Sequence, residues 1–320
     1  MKKTIIVAIL TILALNQAAC AAQPATPPFA QDGAKISVVT TIFPLYDFAR
    51  AVAGNDAELT VLLKPGAEIH SFEPTPADII KMQNADLLLY IGGENEVWVQ
   101  RVLDSMEENA PRFLMLMDTV EVVEDELVEG MEAEETNGGD ENEGPDLDEH
   151  IWTAPTNAVM MVNVIADALS DIDPEYAEKY QANAAAYCEQ IRDLDKEFKE
   201  VVSTSMRKLM VFGDRFPFRY FADAYALEYR AAFPGCSTDT EPAASTLAYL
   251  IETVKNNNIP YIFYIELSNE NVARAVCEQT GAKRLLFHSC QQISRDDFEA
   301  GATYVSIMQQ NVDNLQKGLN

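Results

Sequence analysis

The 320-residue chain contains only three histidines, His70, His150 and His288. Neutral imidazole is a ligand for zinc and other first-row divalent ions, and it is also a common general base. Their spacing favours the first role. No two are close enough for a His-Glu-x-x-His helix, and no Gly-x-Ser-x-Gly elbow offers a serine nucleophile. Each histidine instead falls where a strand or loop gives way to a helix. His70 follows Leu59-Thr60-Val61-Leu62-Leu63 and the loop Lys64-Pro65-Gly66. His150 precedes a helix, and His288 follows Leu285-Leu286-Phe287. In open α/β sheets, ligands sit beyond the carboxyl ends of the strands. The three imidazoles are therefore expected to converge on one metal ion. Such a donor set suits Zn²⁺, whereas two histidines with two carboxylates would lean toward Mn²⁺.

The frame around them reads as α/β. Ile36–Thr40, Leu59–Leu63, Leu87–Ile91 and Phe113–Leu116 have strand character and alternate with helical spacing at Phe43–Val52, after Thr75-Pro76, and at Val97–Glu107. Thr156–Leu169 is helical. Asp173-Pro174-Glu175 then opens a pattern from Tyr176 to about Ser203, which as helix would span on the order of 40 Å. This is the length of a domain, so it is expected to be a strut. The alternation resumes with strands at Lys208–Phe212, Glu228–Ala232, Tyr261–Ile265 and Arg284–Phe287. Helices are expected at Phe218–Ala226, Ala243–Asn256 and Asn271–Thr280, with a closing helix over Asp297–Leu315. The expected fold is two lobes, each with a mostly parallel sheet flanked by helices, joined by one long rigid helix. The divisions are 36–172 for the first lobe, 173–205 for the linking helix and 206–320 for the second lobe.

Charge narrows the partners. The chain carries 51 acidic against 23 basic residues, a net charge of −28. Nucleic acid is excluded by sign; cations are favoured. Fifteen Asp and Glu and no Lys or Arg lie between Asp118 and Trp152. The acidic loop 118–149 is expected to be largely disordered, at least over Glu129–Pro145, and to gather cations beside His150.

Lys2, Lys3 and the apolar run Ile5–Leu15 form an export signal too short to span a bilayer. Ala18-Ala19-Cys20 resembles the end of a lipobox, with Gln17 where Leu is usual. Lipidation of Cys20 would anchor the protein to the outer face of the cell membrane; ordinary cleavage there would leave it secreted or periplasmic. Residues 21–35 read as a flexible tether. Export permits disulfides. Cys188 and Cys277 fall in helical patterns, so Cys236 and Cys290, both in loops after strands, are the favoured pair.

Two stretches carry a family resemblance: Gly66-Ala67-Glu68-Ile69-His70-Ser71-Phe72-Glu73-Pro74-Thr75-Pro76-Ala77-Asp78, and Glu149-His150-Ile151-Trp152-Thr153-Ala154-Pro155. They resemble the first-lobe ligand motifs of the zinc/manganese substrate-binding proteins of bacterial ABC transporters, many of them lipoproteins. The resemblance covers Ile36 to Leu319. It implies one divalent ion between the lobes, His70 and His150 as ligands, a membrane permease as partner and a monomeric carrier that is not an enzyme. The second lobe departs from the pattern. The family usually has a His or Glu after its first strand; here Gly213 takes that place and Asp214 is the nearest candidate, with Arg215 able to pair with it instead. His288 stands where many members have an Asp. Asp214, Glu266 or water is left for a fourth position, with Glu266 also placed to orient an imidazole. Glu241 reads as a helix-capping residue. A zinc-dependent extracellular hydrolase and a surface adhesin using metal structurally are the rival classes.

Overall fold

A computed structural model describes residues 35–69, 72–106, 110–131, 147–237 and 241–320. The signal segment with Cys20, most of the tether, His70 and residues 132–146 of the acidic loop lie outside the described residues.

The first lobe is one parallel sheet. Its strands are β1 (Ile36–Thr40), β2 (Ala57–Val61), β3 (Leu87–Tyr90) and β4 (Arg112–Met115), in the order β2-β1-β3-β4. The inner strand β3 is buried at every residue, as expected for a parallel strand covered on both faces. Helices α1 (Phe43–Ala53), α2 (Pro76–Gln83) and α3 (Val97–Met106) connect the strands. α2 begins as its sequence dictates. Pro76 enters the first turn, the Thr75 hydroxyl accepts the Asp78 N–H at 3.3 Å, and the Asp78 carboxylate accepts the Thr75 N–H at 3.2 Å.

In the second lobe, β5 (Leu209–Val211) pairs with β6 (Glu228–Arg230), and β7 (Tyr261–Tyr264) with β8 (Lys283–Leu286), all parallel. A bridge between Phe212 and Phe263 joins the two ribbons, so the order is β6-β5-β7-β8, the same permutation as in the first lobe. Helices α6 (Arg219–Tyr225), α7 (Ala244–Asn256) and α8 (Asn271–Thr280) complete it. Gly213 follows β5 because α8 crosses there: a Cβ on Gly213 would overlap the Ala273 backbone. The absence of a ligand-bearing side chain at this position thus has a packing cause.

After α4 (Pro155–Ile172), helix α5 (Ala177–Thr204) runs for 28 residues, roughly 40 Å, and touches both lobes. Its buried stripe, Tyr180, Ala184, Tyr187, Cys188, Ile191, Leu194, Phe198 and Val201, follows the three-four spacing of one helical face. At one end the Tyr187 ring meets Phe48 of α1 at 6.4 Å between centroids, and Asn183 donates to the Val52 carbonyl at 2.8 Å. At the other end Phe198 packs edge-on against Phe221 of α6 at 4.9 Å.

The expected closing helix is two helices, α9 (Arg295–Glu299) and α10 (Tyr304–Gly318). Gly301 takes a left-handed φ of +78°, and Thr303 restarts the chain with a capping box to Ser306. This break lets α10 dock on the first lobe. Asp47 of α1 accepts the Tyr304 N–H at 2.8 Å and the Tyr187 hydroxyl at 2.5 Å, and it pairs with Arg50. A carboxylate at the amino end of α10 also suits the helix dipole.

The cysteines correct another expectation. Cys188, Cys236, Cys277 and Cys290 are all free thiols, and no Cys236–Cys290 bridge forms. Cys290 is fully buried within hydrogen-bonding order set by His288, whereas the Cys236 thiol turns to Glu149 of the other lobe, with Sγ 3.8 Å from Oε1. No described helix is long and apolar enough to cross a membrane.

Candidate metal centre

His150 is held from both sides in sequence. Upstream, the chain makes an antiparallel bridge between Glu124 and Leu147, and the Asp148 N–H bonds the Val123 carbonyl at 2.9 Å. Tyr220 of α6 reaches across from the second lobe and donates to the Asp148 carbonyl at 2.7 Å. Downstream, a single turn of 3₁₀ helix (Ile151–Thr153) leads to Pro155 at the start of α4; the Thr153 hydroxyl bonds the His150 carbonyl at 2.8 Å. Trp152 is a buried wedge whose indole N–H donates to the Ser289 carbonyl at 2.8 Å and whose carbonyl accepts the Tyr304 hydroxyl at 2.8 Å.

The imidazole is 0% exposed. Asp148 Oδ1 accepts the His150 backbone N–H at 2.8 Å and lies 3.1 Å from Nδ1. In the neutral ring that pairing places the proton on Nδ1 and leaves the lone pair on Nε2, which is buried with no hydrogen-bond partner among the described residues. A carboxylate fixing one nitrogen while the other stays bare is the arrangement of a metal-ligating histidine. Burial pushes its pKa down, but Asp148 and Glu149 outweigh that and hold it above the ordinary value. Gly235 of the second lobe packs close to the ring: a Cβ there would sit 3.1 Å from Cε1.

The carboxylates whose charges act on the ring are those of Asp148, Glu149 and Asp125. Glu149 is buried, with its carboxylate bonded by the backbone N–H of Asn95 at 3.3 Å and by the Asn95 side chain; burial raises its pKa. Glu96 accepts the N–H groups of Ile91 and Gly92 at 2.6 and 2.9 Å, at the carboxyl end of β3, and burial lifts it to about 7. Ile69, the residue before His70, lines one small cavity with Glu96, Glu149, Trp152 and Gln291.

The other residues singled out from sequence are placed as follows. His288 is 8% exposed; its backbone is clamped by Asn311, and Nδ1 accepts the Cys290 N–H at 2.9 Å with Glu266 Oε2 at 3.5 Å. Glu266 itself binds the Ser289 N–H at 2.8 Å and the Ser289 hydroxyl at 2.5 Å, anchoring the 288–292 loop. Asp214 sits at the carboxyl ends of β5 and β7, where its oxygens accept the N–H groups of Arg215 at 2.9 Å and Ile265 at 3.4 Å; burial raises its pKa. Arg215 turns instead to the Ser237 carbonyl at 3.2 Å and to Glu68 at 3.6 Å. Among the described residues, the one group of three or more ligand-type side chains is Glu149, His150 and Cys236, with one ligand atom from each mutually within 4.8 Å. His288, Asp214 and Glu266 are not in it. Glu149 appeared in the sequence only as part of a motif and Cys236 only as a disulfide candidate; neither was singled out there as a ligand. The first has a local signal, adjacency to His150; the second has none, since its neighbours are 87 residues away.

Two parallel-sheet lobes bridged by a single long helix, with a buried, carboxylate-oriented imidazole where they meet, define a two-lobed binding protein. The profile of the family described as "Zinc-uptake complex component A periplasmic" matches residues 38–318, and the chain belongs to that family. It is 32% identical over 318 residues to the zinc-binding lipoprotein AdcA of Streptococcus pneumoniae (strain ATCC BAA-255 / R6), covering 98% of this chain and 61% of that protein. The chain therefore spans about three-fifths of that relative's length. It is 29% identical to the high-affinity zinc uptake system protein ZnuA of Bacillus subtilis, covering 90% of this chain and 88% of that one. Among solved structures, the Zn(II)-bound ZnuA-like domain of S. pneumoniae AdcA superposes with a TM-score of 0.73 at 31% identity, over 89% of this chain and 99% of that one. The metal-dependent lipoprotein YcdH of B. subtilis gives 0.75 at 28%, over 89% and 100%.

Proposed function

We propose that this protein captures a divalent transition metal outside the cytoplasm, Zn²⁺ in preference to Mn²⁺, and delivers it to an ABC permease. The observation that carries the reading is His150, wholly buried where the lobes meet, with Asp148 on Nδ1 and no partner for Nε2 among the described residues. A buried bare lone pair is costly unless something binds it. Zinc-bound and zinc-uptake relatives support the choice of metal.

In this reading His70 and His150 are the first-lobe ligands, and His288, Asp214 and Glu266 are the second-lobe groups brought forward from sequence. The acidic loop 118–149 raises the local cation concentration, and the ion sets the spacing of the lobes, which the permease reads. Helix α5 restricts the change to a small one. Export through residues 1–20 and lipidation of Cys20 hold the protein at the outer membrane face, tethered by residues 21–35; the printed name of the AdcA relative, a lipoprotein, supports this. The boundaries 36–172, 173–205 and 206–320 describe the working parts.

Equilibrium dialysis against Zn²⁺, with parallel assays on ester, phosphate and peptide substrates, tests the proposal. One tightly held zinc per chain without turnover is expected. Turnover that depends on zinc would establish the hydrolase instead.

A further inference from the structure

Among the described residues, Cys236 is the second-lobe side chain grouped with His150 and Glu149. It lies in Phe233-Pro234-Gly235-Cys236, the loop that follows β6. That loop is tied to the end of β5, because the Ala232 N–H bonds the Asp214 carbonyl at 3.1 Å and Arg215 bridges to Phe233. Gly235 covers the His150 ring, and the next residue points its thiol at Glu149, with Sγ 3.8 Å from Oε1.

We propose that Cys236 is a metal ligand, contributed by the second lobe and completing a thiolate–imidazole–carboxylate site with His150 and Glu149. The proposal rests on the carrier reading above and adds one more second-lobe donor to the groups which that reading brings forward from sequence. Two independent observations support it. One ligand atom from each of the three side chains lies within 4.8 Å of the other two, close enough to share an ion after small rotations. His150 Nε2 is also a fully buried acceptor with no partner among the described residues. On binding, the S–H bond breaks, the sulfur forms its bond to the metal, and the proton passes to solvent. A soft thiolate beside an imidazole selects zinc over manganese.

The test uses the full chain, kept reduced. Co²⁺ is titrated in first, followed by Zn²⁺ in competition with a chelator, for the wild type and for Cys236→Ser. The wild type is expected to show a near-ultraviolet thiolate-to-cobalt charge-transfer band that zinc abolishes. Cys236→Ser is expected to lose that band while keeping a weaker cobalt complex. Its zinc affinity is expected to fall by at least the roughly 10–100-fold that losing an outer partner costs. A wild-type cobalt complex without the band overturns the assignment whatever the variant does, so a misfolded variant cannot protect it. A band that persists in Cys236→Ser overturns it in favour of another thiol. If zinc binds the wild type and Cys236→Ser equally, the carrier reading stands and the thiolate assignment falls. A wild type that binds neither metal removes both.

Discussion

Asp148 and His150 form a buried pair in which one carboxylate oxygen, Oδ1, meets both the backbone N–H and the ring Nδ1 of the same histidine, at 2.8 and 3.1 Å. The carboxylate is two residues away, so the loop itself sets the ring's orientation and tautomer. The lone pair on Nε2 is then directed by backbone geometry. Asp148→Asn removes the charge and frees the tautomer. Zinc affinity is expected to fall roughly 10–100-fold with little change in stoichiometry, measured by chelator competition. His150→Ala is expected to lose most of the affinity.

Gly235 touches the ring from the other lobe. In Gly235→Ala the added Cβ would start 3.1 Å from Cε1 and 3.3 Å from Nδ1, tighter than ordinary contact. The ring or the loop must shift by a few tenths of an ångström. We expect a larger loss in metal affinity than in thermal stability, from paired titration and melting curves.

Glu96 gives the metal-free protein a distinctive pH dependence. Burial raises its pKa from 4.5 to about 7, so between those values the folded state holds a proton that the unfolded state has lost. Stability on this account falls as pH rises through that window, by roughly 3 kcal/mol once above it. Glu96→Gln, which can still accept from Ile91 and Gly92, is expected to flatten the slope between pH 4.5 and 7. Urea midpoints at several pH values check this.

The strut is expected to matter through its ends. Phe198→Ala removes the ring that meets Phe221 and Tyr225 and should cost about 3–5 kcal/mol in urea unfolding. Deleting 129–145 is expected to leave equilibrium zinc affinity unchanged and to slow uptake from dilute solution, read by stopped-flow.

Features with local causes were legible in the chain. Thr75-Pro76 announced α2, and the long pattern from Tyr176 to about Ser203, opened by Asp173-Pro174-Glu175, announced α5. The capping signal at Thr303 and the turn at Gly301 were equally local, but the apolar spacing on either side masked them as one helix. Cys236 was not legible, because its place beside Glu149 comes from the docking of two lobes and no spacing encodes it. The free thiols have the same origin: pairing Cys236 with Cys290 rested on both being loop residues, and loops on the same lobe need not face each other.

The central claim is that metal binds where the lobes meet, on the bare nitrogen of His150. A zinc-loaded crystal measured across the zinc absorption edge tests it most directly. The account predicts one anomalous peak about 2.0–2.1 Å from His150 Nε2. A zinc peak elsewhere, with Nε2 still unpartnered, would contradict it.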